Sequence, residues 1–304
     1  MAYTNIDDPS AYFQTALYTG AGSTVVTVTN DGNSDLQPDF LWFKRRDSAG
    51  GHALLDTSRG ANVTSGFGPT GYSFVLNSNS TASEVADSTG VMTITSDGFT
   101  VKEMTYAGGN TNTGSMVAWQ WHCNGGTTSS NTDGSITSTV QANQDAGFSI
   151  VTWTGNENSS ATVGHGLGVK PDMVFFKRRN ATYNWVVYCG QLGIVGGNNM
   201  FAYLNLTNPA EQGAGFNFTS TTITPTNGAP TNSGNMIAYC FAEKQGYSKF
   251  GSYVGNGNDN GPFVYTGFKP AFVMVKNANA TKNWYMWDNK RNPVSYTHLR
   301  AHET

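Results

Sequence analysis

Two Asp-x-x-Arg pairs are the most chemically suggestive feature of the sequence. Asp56 and Arg59 recur as Asp288 and Arg291, each pair just after an apolar run, while the intervening copy of the run ends on Cys189 and Leu192. A carboxylate and a guanidinium three residues apart can close on each other and fix a loop, or clamp a sugar hydroxyl or ligand carboxylate. Trp185 and Trp284 occupy matching places after Asn184 and Asn283, where an exposed ring would stack on a sugar. Asp56, Arg59, Trp185, Trp284, Asp288 and Arg291 therefore form the candidate ligand-binding set. The other tryptophans lie on runs with apolar neighbours and read as core.

Catalytic chemistry is not indicated. A glycosidase needs two carboxylates about 5–10 Å apart across the scissile bond, yet Glu84, Glu103, Glu157, Glu211 and Glu243 are scattered and form no Glu-x-Asp-x-Glu strand. For a polysaccharide depolymerase the best available pair is Glu103 with Asp56. No serine nucleophile elbow occurs, and His52, His122 and His165 lack a repeated Ser or Asp neighbour, so they read as structural. Cys123, Cys189 and Cys240 are odd in number, without metal-ligand spacing, and read as buried thiols. The loop Gly255–Gly261 has hard Asp and Asn oxygens but one carboxylate, which suits a turn better than calcium. No metal and no cofactor is expected.

Composition narrows the partners. The chain has 304 residues, 12% charged, with 36 Gly, and a net charge of −3. Its positive blocks, Lys44–Arg46 and Lys177–Arg179, could neutralise only a few phosphates, so nucleic acid is not expected. Low charge with 14 Tyr, 17 Phe and 7 Trp argues for a folded chain rather than disorder. No apolar run approaches the roughly 18–20 residues of a membrane span, and Met1–Ser10 lacks the features of a secretory signal.

The elements that must position these residues are set by an internal repeat. Gln37–Arg46 returns as Lys170–Arg179 and, more weakly, as Lys269–Lys276. Tyr18-Thr19-Gly20 answers to Trp153-Thr154-Gly155 and Tyr253-Val254-Gly255, and Gly114–Trp121 to Gly234–Phe241. Spacings of roughly 133 and 99 residues between the prolines fit whole domains. Within Met116–His122, Val117, Trp119 and Trp121 share one face of a strand, and Met116, Ala118, Gln120 and His122 the other. Eight short strand candidates in the first repeat, turns such as Ser96-Asp97-Gly98, and no helical period predict an all-β fold of tandem β-sandwich domains with a truncated third repeat. The expected units are a first repeat at 1–126, a Ser/Thr/Asn/Gly-rich linker at 127–146, a second repeat at 147–246, and a truncated third at 247–293, each repeat around its own core.

These motifs resemble an uncharacterised family of repeat domains in tailed-phage and marine viral proteins. The resemblance rests on Ile6–Thr15, Pro38–Arg46, His52–Gly60, Gly164–Gly168 and Phe241–Tyr253, and extends to Pro293. It implies a concanavalin-like or jelly-roll sandwich and a place in the virion, with other virion proteins or, in a homo-oligomer, further copies of the chain as partners. Val294–Thr304 resembles a translated sequencing adapter and is expected to be a non-native tail. Combined with a neutral, hydrogen-bonding surface, the family setting implies a receptor-binding or structural module whose ligand is a host surface glycan. A purely architectural module and a depolymerase are the alternatives.

Overall fold

The computed structural model describes residues 4–59, 73–87, 92–103, 111–195, 198–213, 216–225 and 229–291. The fold is all-β and its sheets are antiparallel; the helical elements among these residues are single turns such as Ala229–Asn232. The expected tail at 294–304 lies outside the described residues.

The first repeat contributes β1 (Phe13–Thr19), β2 (Val26–Thr29), β3 (Phe40–Arg45), β4 (His52–Asp56), β5 (Ser73–Val75), β6 (Val85–Asp87), β7 (Met92–Thr95), β8 (Gly98–Val101) and β9 (Ser115–Trp121). Its main sheet runs β1-β9-β3-β4, and its second sheet β2-β8-β7. The second repeat contributes β10 (Ser129–Asn131), β11 (Ser138–Asn143), β12 (Phe148–Asn156), β13 (Val163–Gly164), β14 (Met173–Arg178) and β15 (Val186–Cys189). It continues with β16 (Ile194–Val195), β17 (Asn198–Tyr203), β18 (Glu211–Gly213), β19 (Asn217–Phe218), β20 (Thr222–Thr224) and β21 (Ser233–Phe241). Its main sheet contains β12-β21-β14-β15, the order of the first repeat over again, covered by β13-β20-β19. The third repeat supplies one hairpin, β22 (Phe272–Lys276) with β23 (Trp284–Asp288).

Register explains why the alternation matters. Trp119 faces Thr15 on one side and Trp42 on the other, and Tyr239 lies between Ile150 and Phe175 in the same way. One face of each main sheet packs on its own second sheet: Leu41, Phe43 and Leu55 on Phe99 and Val101, and Val174, Phe176 and Tyr188 on Phe218 and Ile223. Gly98 makes the β7–β8 turn at φ 109°, where a Cβ would sit 2.1 Å from the Val28 carbonyl oxygen.

The opposite faces do not meet solvent. Phe40, Trp42 and Trp119 pack with Phe175, Trp185 and Tyr239 in one cluster, and Phe272, Met274, Trp284 and Met286 lie against it. The expectation of a separate core for each repeat is thus corrected: each of the first two has an outer core, and all three repeats share an inner one. The physical reason is that runs such as Phe40–Phe43 and Val174–Phe176 are apolar at consecutive positions, so both faces must be buried.

The linker expected at 127–146 is corrected too. It supplies β10 and β11, and β11 extends the second repeat's main sheet by pairing with β12. Gln141 on β11 is buried, its Nε2 donates to the hydroxyls of Thr57 (2.9 Å) and Ser58 (3.0 Å), and its Oε1 accepts from the Asn124 (3.1 Å) and Gly126 (3.0 Å) amides. A polar composition here reflects side chains that satisfy loops of the first repeat, not a free connector.

Candidate functional site

The six candidate residues lie at the seams between repeats rather than on a ligand-facing surface. Asp56 ends β4 and Arg59 follows in the turn, with both side chains fully buried. Arg59 Nε donates to Asp56 Oδ2 at 2.6 Å, Nη1 to Glu84 Oε2 at 2.8 Å, and Nη2 to the Leu54 carbonyl at 3.0 Å. The Tyr239 hydroxyl of the second repeat donates to Asp56 Oδ2 at 2.6 Å, and Arg179 grips Glu84 through two bonds. Burial opposes charge on Arg59, but Asp56, Tyr239 and Glu84 outweigh it and hold its pKa well above the ordinary value. Burial likewise pushes Glu84 up, yet Arg59 and Arg179 keep it below the usual carboxylate value.

The third repeat repeats this seam. Asp288 Oδ2 accepts from Trp119 Nε1 of the first repeat at 3.0 Å and pairs with Arg291 Nε, while the Arg291 guanidinium lies 4.8 Å from the Trp119 ring centroid. Trp119 and Tyr239 are equivalent positions, as are Asp56 and Asp288, so one lock is built twice. Trp185 is fully buried, donates through Nε1 to the Asn77 carbonyl at 2.9 Å, and stacks on Tyr239. Trp284, partly buried against the inner core, makes the equivalent indole bond one repeat later, donating to the Tyr203 carbonyl at 2.8 Å. The donors and acceptors of the two Asp–Arg pairs and the indole N–H groups of the two tryptophans are engaged within their own repeat or by another one.

A third repeated device was not anticipated. Lys44, Lys177 and Lys276 are equivalent, and each ammonium donates to backbone carbonyls: Lys44 to Gly50, Lys177 to Thr81 and Tyr183, Lys276 to Thr207 and Lys282. Burial brings Lys177 down to about 8. The signal was present in the three aligned lysines, which end apolar strands where a charge needs partners.

His52 accepts from Trp42 Nε1 through Nδ1 at 2.8 Å, and burial, aided by Lys44 and Arg291, lowers its pKa to about 4. His165 is buried beside the Thr219 carbonyl and lowered by burial as well. The three thiols are buried and unpaired. In the Gly255–Gly261 loop, Asn256 and Asn258 make Asx turns. Among the described residues no cluster of three His, Cys, Asp or Glu side chains is placed to hold a metal. Glu103 is exposed while Asp56 is locked in its buried pair, so the two carboxylates named for hydrolysis sit in unlike surroundings.

An open cleft that sequence reasoning missed lies where the first and second repeats adjoin. It has a volume of about 450 Å³ and is lined by Tyr12, Asp35, Gln37, His122, Asn143 and Asp145, with Ala11 and Ser96. A 3-10 turn at Pro9–Ala11, N-capped by Asp8, delivers Tyr12; the end of β9 delivers His122; the β11–β12 turn delivers Asn143 and Asp145. The backbone ties these pieces together, the His122 amide donating to the Tyr12 carbonyl at 3.0 Å and His122 Nδ1 to the Gln37 carbonyl at 2.9 Å. Two carboxylates, two amides, an imidazole and one aromatic ring around an open space offer both acceptors and donors to a polyhydroxylated ligand. The residues come from five segments separated in sequence, which is why spacing alone did not expose them.

Residues 8–303 match DUF7483, a family described as a domain of unknown function. No curated protein and no solved structure matches the chain.

Proposed function

We propose that this chain, which belongs to the DUF7483 family of unknown function, is a structural and receptor-binding module of a phage virion that contacts host surface glycans. The observation that carries this reading is the cleft lined by Tyr12, Asp35, Gln37, His122, Asn143 and Asp145. Its lining matches what a neutral sugar requires: hydroxyls bond to carboxylate and amide groups, and a ring edge packs on tyrosine. The low charge of the chain supports recognition by hydrogen bonding rather than by electrostatic steering.

The test is a glycan array probed with the protein and with Tyr12→Ala and Asp35→Asn variants, folding being checked by circular dichroism. Binding of a defined glycan set that falls about tenfold or more in either variant, a loss of about 1.4 kcal/mol, supports the reading. Binding unaffected by both variants overturns the cleft as its location.

A purely architectural role is the second reading, and the shared inner core favours it. Repeats locked through Tyr239–Asp56 and Trp119–Asp288 form a stiff unit suited to extending a fibre. SDS-resistant oligomers without glycan binding would select it.

A further inference from the structure

The third hairpin presents a face that its two equivalents keep covered. Leu41 and Val174 are 1% and 0% exposed, and Val273 in the same place is 36% exposed. Leu55 and Tyr188 are 0% and 1% exposed, whereas Trp287 is 46% exposed and stacks on the exposed Tyr285 at 5.7 Å. Apolar and aromatic side chains at these positions, arranged with period two on a two-stranded ribbon, are built for burial.

The edge of β22 is open in the same sense. β3 pairs with β4 and β9, and β14 with β15 and β21; among the described residues β22 pairs with β23 alone. In the first two repeats the extra strand is also clipped at both ends. The Asp39 and Asp172 amides donate to the carbonyls of Trp121 and Phe241, and those of Arg46 and Arg179 to Ser115 and Asn235. A two-stranded ribbon is marginal by itself, and an unpaired apolar edge is a template for another strand.

We propose that β22 is a docking edge for an added antiparallel β-strand carrying the pattern of β9 and β21, with an aliphatic residue and two aromatics at alternate positions. Those side chains face the inner core beside Phe272 and Met274, where β9 places Val117, Trp119 and Trp121 and β21 places Ile237, Tyr239 and Phe241. Small residues lie between them, as Ala118 and Ala238 do. The locks specify the strand further. Tyr239 meets Asp56 and Trp119 meets Asp288, whereas the remaining copy of this position, at the end of β15, is Cys189, so by the same repeat pattern the docked strand would meet a thiol. With no carboxylate there to accept a hydrogen bond, the central aromatic of the docked strand is best a phenylalanine.

The experiment adds a synthetic peptide with the sequence Gly114–His122, lysine-flanked for solubility, to the protein and follows amide hydrogen exchange. Matched peptides carry Trp119→Phe or Ala118→Pro. The expected result is at least tenfold slower exchange within Phe272–Lys276, no change in Phe40–Arg45, the largest effect with the phenylalanine peptide, and none with the proline peptide. No slowing at millimolar peptide, equal slowing by the proline peptide, or changes confined to the first repeat would overturn the proposal. So would a protein dimer in which Phe272–Lys276 is already protected without peptide, since a second copy would then fill the edge.

Discussion

A histidine that resists taking a proton couples this fold to pH. His52 in the folded chain titrates near 4, against about 6.5 when unfolded, because burial resists its charge and the nearby Lys44 and Arg291 repel it. Above the unfolded value neither state carries the proton and stability is at its plateau. Between there and about 4 the unfolded chain takes up the proton first, so stability falls by about 3 kcal/mol, and below 4 the loss levels off. We expect His52→Gln, which keeps an acceptor for Trp42, to flatten the stability profile between pH 4 and 6.5; urea midpoints across that range measure it. His165, lowered in the same direction, leaves a residual slope. Arg59 tests the other extreme. Arg59→Ala strands the Asp56 carboxylate inside the molecule, leaves Glu84 with Arg179 alone, and is expected to cost about 3–5 kcal/mol in denaturant unfolding. The Asp-x-x-Arg spacing did announce a tight pair at this position. Nothing in the spacing said that its third and fourth members, Glu84 and Tyr239, would arrive from 25 and 180 residues away.

Strands were legible wherever alternation or turns marked them, and β9 is the clearest instance, with Val117 and Trp119 on the inner core and Ala118 on the outer one. The polar stretch that forms β10 and β11 was not, because hydroxyl and amide side chains read as connector while Gln141 uses its amide as four hydrogen bonds' worth of glue between repeats. Gln141→Ala therefore removes four hydrogen bonds that tie β11 to the Thr57–Ser58 and Asn124–Gly126 loops. We expect a loss of about 1–3 kcal/mol, whereas a true linker would tolerate the change; thermal melting of the two proteins distinguishes the cases. The stretch Thr81–Asp87, too short to specify more than one or two turns of helix, pairs through β6 with β5 instead.

At the scale of the whole molecule, the repeat predicted three similar units but not their common interior. The clue was the run of consecutive apolar residues in Phe40–Phe43 and Val174–Phe176, which no sheet with a wet face would carry. Because Ile237 belongs to the second repeat yet packs in the cluster that holds Trp42 and Trp119, Ile237→Ala should lower the unfolding midpoint of both repeats together, by about 2–5 kcal/mol. Hydrogen exchange read separately in β3 and β14 would register this; a drop confined to β14 would show that the repeats melt independently. The bond between Trp119 and Asp288 spans 169 residues of chain. A polypeptide emerging from the ribosome makes Trp119 long before its acceptor exists, so the first repeat must wait, its indole donor unsatisfied, until nearly the last described residue has been synthesised. Chain growth thereby acts as a clock, and a nascent chain arrested before Asp288 should keep its first repeat accessible to protease.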